Sequence, residues 1–182
     1  MSHADPQFVE RREFLRRCAA LAAAAPLTAK FSQPAVAADR KKVGPNEKLN
    51  LGVIGVAARG GANLSGVAGE NIVALCDIDE SRLNAAAAVH TKAEKYIDYR
   101  KLLDRTDLDA VVVSTPDFSH AIPVVRALKQ GLDVYCEKPL AHSVYETRVM
   151  RDTAAKHKAV TQMGTQVHAG ENYRRVVELV QS

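Results

Sequence analysis

The residues of this chain best suited to chemistry are a carboxylate, a lysine and two glycines, each placed just after an apolar β-branched run. The run Leu49-Asn50-Leu51-Gly52-Val53-Ile54 ends at Gly55, and Val56-Ala57-Ala58-Arg59-Gly60 leads at once into a helical pattern. Gly55 suits a tight turn out of a strand. Gly60 would let the next helix pack closely on the sheet, with its free N–H groups aimed at phosphate. Ala57 stands where a G-x-G-x-x-G motif has its middle glycine, so one extra methyl must be accommodated. About 20 residues further on, Asn71-Ile72-Val73-Ala74-Leu75-Cys76 reads as a second buried strand that ends at Asp77. A carboxylate there can accept hydrogen bonds from ribose hydroxyls and would repel a 2′-phosphate, which favours NAD over NADP. The rival reading is that Asp77 caps the helix beginning near Asp79 and Glu80.

Two more loops carry unusual residues. Ser114-Thr115-Pro116-Asp117-Phe118-Ser119-His120 follows a Val111-Val112-Val113 strand. Pro116 forces an extended turn, Asp117 can cap the next helix, and Thr115 and His120 can face a cofactor. On the residues alone, His120 reads as a surface histidine in a first helical turn. Cys136-Glu137-Lys138-Pro139-Leu140 follows the next strand. An ammonium at Lys138 could hydrogen-bond a ribose and a substrate hydroxyl, and could stabilise negative charge as an alcohol gives up its proton and hydride. The alternative is a solvated Glu137–Lys138 pair.

Short apolar runs alternating with helical patterns position these loops, and that alternation specifies an α/β, doubly wound parallel sheet of the Rossmann type. Strands are expected at 49–54, 71–76, 110–114, 132–136 and 159–163, with a weak one near Tyr96 and Ile97. Helices are expected near 59–68, 79–90, 98–105, 118–130 and 143–157, with Gly131 at a natural C-cap position. Tyr173, Val176, Val177 and Val180 recur at helical spacing in the last segment. In an open α/β sheet, ligands bind beyond the carboxyl ends of the strands, where the glycine turn, Asp77 and the two later loops fall.

The charge is unevenly spread. Residues 1–48 hold nine Lys/Arg and five Asp/Glu, whereas 49–182 hold sixteen of each. The near-neutral remainder has no basic stripe for nucleic acid, and no window is long and apolar enough to span a membrane. Arg11-Arg12-Glu13-Phe14-Leu15-Arg16, an alanine-rich stretch from Cys18 to Ala25, Pro26 and Ala35-Val36-Ala37 follow the order of a twin-arginine export signal cleaved after Ala37. Glu10 stands where Ser or Thr is usual. Cys18 follows arginines rather than small apolar residues, so lipid anchoring is not expected. The expected organisation is a signal peptide over 1–37, a polar linker over 38–48, a dinucleotide-binding domain over 49–166, and the start of a truncated C-terminal region over 167–182. The protein would then be periplasmic or otherwise exported, with the twin-arginine machinery as a partner. Cys76 and Cys136 sit on strands three positions apart in the usual order, roughly 14 Å. That exceeds the reach of a disulfide, and no metal site is expected.

Taken in order, Gly52 to Gly60 with Arg59, Asp77, Thr115-Pro116 with Asp117 and His120, and Glu137-Lys138-Pro139 resemble the successive motifs of the Gfo/Idh/MocA oxidoreductases (glucose–fructose oxidoreductase, inositol dehydrogenase and their kin). Met163-Gly164-Thr165-Gln166-Val167-His168 is similar to the stretch after the sixth strand in exported members. The residue matching Gln166 approaches the nicotinamide side there; read alone, Gln166 is an ordinary loop amide. The resemblance implies cofactor contacts from Gly55, Ala57, Arg59, Gly60, Asp77, Thr115, Pro116, Asp117, His120, Glu137, Lys138 and Gln166. It implies catalysis by Lys138, hydride transfer between a sugar or polyol hydroxyl and NAD, and a second α/β domain that carries most substrate contacts and often the oligomer interface. Two other functions fit the same motifs: an NAD-dependent glycosidase working by transient oxidation, and a non-catalytic nucleotide sensor.

Overall fold

A computed structural model describes residues 43–44 and 46–182. The signal-peptide expectation and most of the linker lie outside the described residues. Six strands form one parallel sheet: β1 (Asn50–Ile54), β2 (Asn71–Cys76), β3 (Glu94–Tyr96), β4 (Ala110–Val113), β5 (Asp133–Glu137) and β6 (Thr161–Gly164). Their order across the sheet is β3-β2-β1-β4-β5-β6. The chain thus winds outward one way from β1 and then the other way from β4, leaving a crevice between those two strands at their carboxyl ends.

Alternation along the central strands divides the core between the two faces of the sheet. Leu51, Val53, Leu75 and Val112 meet Val56, Leu64 and Leu83 on one face. This face is covered by α1 (Arg59–Gly66) and α2 (Glu80–Val89). Ile54, Ala74, Val111, Val113, Val134 and Cys136 pack on the other, against side chains from α3 (Tyr99–Leu103), α4 (Ala121–Lys129) and α5 (Val144–His157). Val53 pairs in register with Leu75 on one side and Val112 on the other, and all three are buried. Strands buried on both faces explain why the sequence reads as continuous apolar runs rather than as alternation.

Local signals set the helix ends. Asp79 starts α2 by accepting from Ser81 N and Arg82 N, and Asp98 starts α3 by accepting from Arg100 N. Ser143 and Glu146 form a reciprocal capping box at α5. Gly131, at φ 78, ends α4 with the Leu132 N–H returning to the Ala127 carbonyl.

The expected helix over 118–130 divides in two: a 3-10 turn over Asp117–Ser119, then α4 from Ala121. Asp117 therefore does not cap α4; its carboxylate accepts from the adjacent Phe118 N–H instead. The last helix, α6 (Glu171–Gln181), forms where the spacing places it but buries none of its residues. Tyr173, Val176, Leu179 and Val180 remain exposed along it.

Candidate functional site

Gly55 follows β1 at φ 86, a backbone region that side chains disfavour, and a Cβ there would lie 2.6 Å from the Ser114 carbonyl oxygen. A Cβ on Gly60 would lie 2.1 Å from the Gly55 carbonyl oxygen, so α1 can start this close to the sheet only with glycine at that position. The missing middle glycine leaves a trace one residue later than expected. The backbone outlier is Ala58, at φ 49 and ψ −115, not Ala57, which is half-buried in the turn. Such a conformation at a residue with a Cβ costs on the order of 1–3 kcal/mol and persists where the surroundings impose it. Among the described residues no side chain caps the start of α1, which leaves the positive end of the helix open toward the crevice, with Arg59 exposed at its first position.

Asp77 stands beside this turn. One carboxylate oxygen accepts from the Val56 N–H at 3.1 Å and the other from the Asp79 N–H at 3.0 Å. Capping of α2 belongs to Asp79, which also pairs with Arg82. The helix-cap reading of Asp77 is thereby replaced: its half-buried carboxylate is oriented by the glycine turn itself.

Across the crevice, the Thr115 Oγ1 is a buried hydroxyl without a hydrogen-bond partner among the described residues. Pro116 and Asp117 are exposed after it. An open helix start, two glycines that clear the approach, an oriented carboxylate and an unsatisfied hydroxyl are the donors, acceptor and space that a dinucleotide requires. The residues present fit NAD. The chain would hold it with Asp77 at the ribose and the start of α1 at the pyrophosphate.

One expectation at the loop after β4 and one rival reading at the loop after β5 need correcting. His120 is 1% exposed, so it is not a surface histidine. Its Nε2 lies 2.7 Å from the Thr115 carbonyl oxygen and its Nδ1 2.8 Å from that of Pro139, so its polar atoms serve two loops rather than facing a cofactor. Glu137 is 4% exposed, which rules out a solvated Glu137–Lys138 pair. Its carboxylate accepts from Asn63 Nδ2 at 2.9 Å, from the Lys138 N–H at 3.1 Å, and from Gln166 Nε2. Lys138 itself is exposed, and its ammonium has no partner among the described residues.

Gln166 is more than a loop amide, because Nε2 also donates to the Tyr135 hydroxyl at 2.9 Å. A Cβ at Gly164 would fall within 2.7–2.9 Å of Tyr135, Glu137 and Gln166, so this cluster leaves room for no side chain there. Asn63 and Ser114, joined at 2.9 Å, complete the cluster and were not among the expected site residues. Asn63 did have a signal in the sequence. It sits three residues after Gly60 and beside Leu64, on the stripe of α1 that must face the sheet, where a polar side chain needs a partner.

Residues 49–165 match the family model described as "Oxidoreductase family, NAD-binding Rossmann fold". The chain belongs to the Gfo/Idh/MocA oxidoreductase family. Among its relatives, inositol 2-dehydrogenase of Salmonella typhimurium is 29% identical over 140 residues, covering 74% of this chain and 42% of that protein. A glycosyl hydrolase family 109 protein of Solibacter usitatus is 38% identical over 116 residues, covering 56% and 26%. The structure of myo-inositol dehydrogenase from Lactobacillus casei in complex with NAD(H) and myo-inositol aligns with TM-score 0.66 at 30% identity, over 74% of this chain and 41% of that one. The chain thus spans about two fifths of the length of these inositol dehydrogenases. The match brings a six-stranded, NAD-binding Rossmann domain into correspondence with the motifs above.

Cys76 and Cys136 are both free and buried at the strand ends beneath this site. Burial, with Asp77 and then Asp98 nearby, pushes the Cys76 thiol up to about 12. Burial and then Glu137 push Cys136 up to about 12 as well. Both thiols are therefore protonated at neutral pH and serve as apolar packing rather than as nucleophiles. In a Cys18→Ser variant, iodoacetamide at pH 8 should label the native chain roughly a thousandfold more slowly than the urea-unfolded chain, as read by mass spectrometry. The folded-state values lie above the unfolded ones. The stability these thiols contribute is therefore complete below about pH 9 and is lost as pH rises toward 12. Urea midpoints measured across that range should fall accordingly.

Proposed function

We propose that this chain supplies the nucleotide-binding part of an exported, NAD-dependent oxidoreductase acting on a sugar or polyol hydroxyl. The observation that carries the reading is the exposed Lys138 ammonium, without a partner among the described residues, at the mouth of the NAD-binding crevice on a backbone fixed by the buried Glu137. A lysine held there can donate to a substrate hydroxyl and stabilise the charge that develops as that hydroxyl loses its proton. Bound NAD supplies the hydride acceptor. The roles of this chain are to hold the nucleotide through Asp77, Thr115 and the start of α1, and to present Lys138. Inositol dehydrogenases among the relatives support the substrate class. The Solibacter protein supports a second reading, a glycosidase that oxidises the sugar transiently and regains its NAD. Assembly into a homo-oligomer belongs to the same proposal for the full-length protein.

Three measurements test this. Calorimetric titration should give tighter binding of NAD than of NADP, and Asp77→Ala should narrow the gap mainly by weakening NAD; equal affinities would remove Asp77 from the ribose site. With the full-length protein, a free polyol such as myo-inositol should give net NADH by absorbance. Release of an aglycone from a glycoside with no net NADH would favour the glycosidase instead. Export is tested in cells: replacing Arg11 and Arg12 by lysine should leave the protein in the cytoplasm with its leader attached. Arrival of the mature form in the periplasm would overturn the twin-arginine assignment.

A further inference from the structure

His120 occupies an unusual position for a histidine. It is 1% exposed, and each ring nitrogen meets a backbone carbonyl oxygen, Thr115 at 2.7 Å and Pro139 at 2.8 Å. Carbonyl oxygens only accept. A neutral imidazole carries one N–H, and its second nitrogen presents a lone pair. Two lone pairs opposed across such a distance repel each other, and turning the ring over does not help, because both ends meet the same kind of group.

We propose that His120 donates from both nitrogens as an imidazolium, and that it acts as a positioning residue which clamps the loop after β4 to the loop after β5. Two carbonyl dipoles take the place of hydrogen bonds to water, and hydrogen bonds made to the charged form of a group favour that form. The clamp falls where the site needs it. The Thr115 carbonyl belongs to the residue whose hydroxyl is unsatisfied in the crevice, and the Pro139 carbonyl follows Lys138 directly. Glu137 holds the Lys138 N–H on the other side. The backbone carrying Lys138 is thus fixed ahead by a carboxylate and behind by the ring. Its value for catalysis rests on the oxidoreductase reading, whereas the proton count on the ring does not.

The 182-residue chain, with ¹⁵N-labelled histidine, provides a test independent of activity. At neutral pH the His120 ring resonances, assigned in the parent chain by through-bond correlation to its own backbone amide with added ¹³C label, should place both nitrogens in the protonated range. One protonated and one bare nitrogen would overturn the proposal, and this reading stands even if no variant folds. The variants separate the two ends of the clamp. The amide of His120→Asn reaches the Nδ1 position and keeps the Pro139 link, while His120→Gln reaches the Nε2 position and keeps only the Thr115 link. Hydrogen exchange at the Lys138 amide should stay within about threefold of the parent in His120→Asn and rise about tenfold in His120→Gln, with β1 and β2 amides unchanged in both. An equal rise in the two variants would make His120 a packed ring with no directed role. If the clamp result holds while NADH formation fails, the oxidoreductase reading falls alone.

Discussion

Burying the Glu137 carboxylate obliges three separate segments to bring N–H groups to it: Asn63 from α1, Gln166 from the turn after β6, and the backbone of Lys138. Removing a charge from water costs several kcal/mol, and hydrogen bonds to a charged group return about 1.5–3 kcal/mol each. With fewer donors the group would be left under-solvated, so the segments that supply them are constrained together. The absence of a side chain at Gly164 is a second consequence, since the cluster fills that space. The lysine at the mouth of the site therefore owes its placement to elements drawn from most of the width of the sheet.

A second constraint operates at the opposite side of the crevice and is steric. The contact between the start of α1 and the turn after β1 depends on glycine at 55 and 60, and it brings the Val56 N–H within reach of Asp77. Turn, helix and acid are thus one geometric unit. In the proposed reading that unit would face the adenosine half of a dinucleotide, and the Glu137 cluster the half where chemistry occurs. Parallel strands place both at the same edge of the sheet, because every strand delivers its following loop there.

This division accounts for what could be read from the sequence. Gly55, Gly60 and Asp77 are recognisable because their requirements are local: a positive φ, a close approach, and a fixed offset from the turn. The six strands and their order followed from the same alternation of apolar runs and helical patterns. His120 was seen but misjudged, and Glu137 was seen without its distant partners, since all but one of the hydrogen-bond partners of these two residues lie 5 to 74 residues away and no spacing rule encodes them. Asn63 was marked by its place on the sheet-facing stripe of α1, but nothing local to it indicated that its partners are Ser114 and Glu137. The break between Ser119 and Ala121 was also invisible, because propensity continues through it and the ring of His120 looks inward only once two loops are in place.

The unburied apolar edge of α6 bears on how the chain behaves in bulk solution. Tyr173, Val176, Leu179 and Val180 form an exposed stripe, while residues 49–182 carry equal numbers of acidic and basic side chains. The formal charge of +4 over the whole chain gives only weak repulsion between copies, and an exposed apolar stripe favours contact between them. The colloidal stability of the chain is therefore set less by its well-packed sheet than by whatever shields a single peripheral helix.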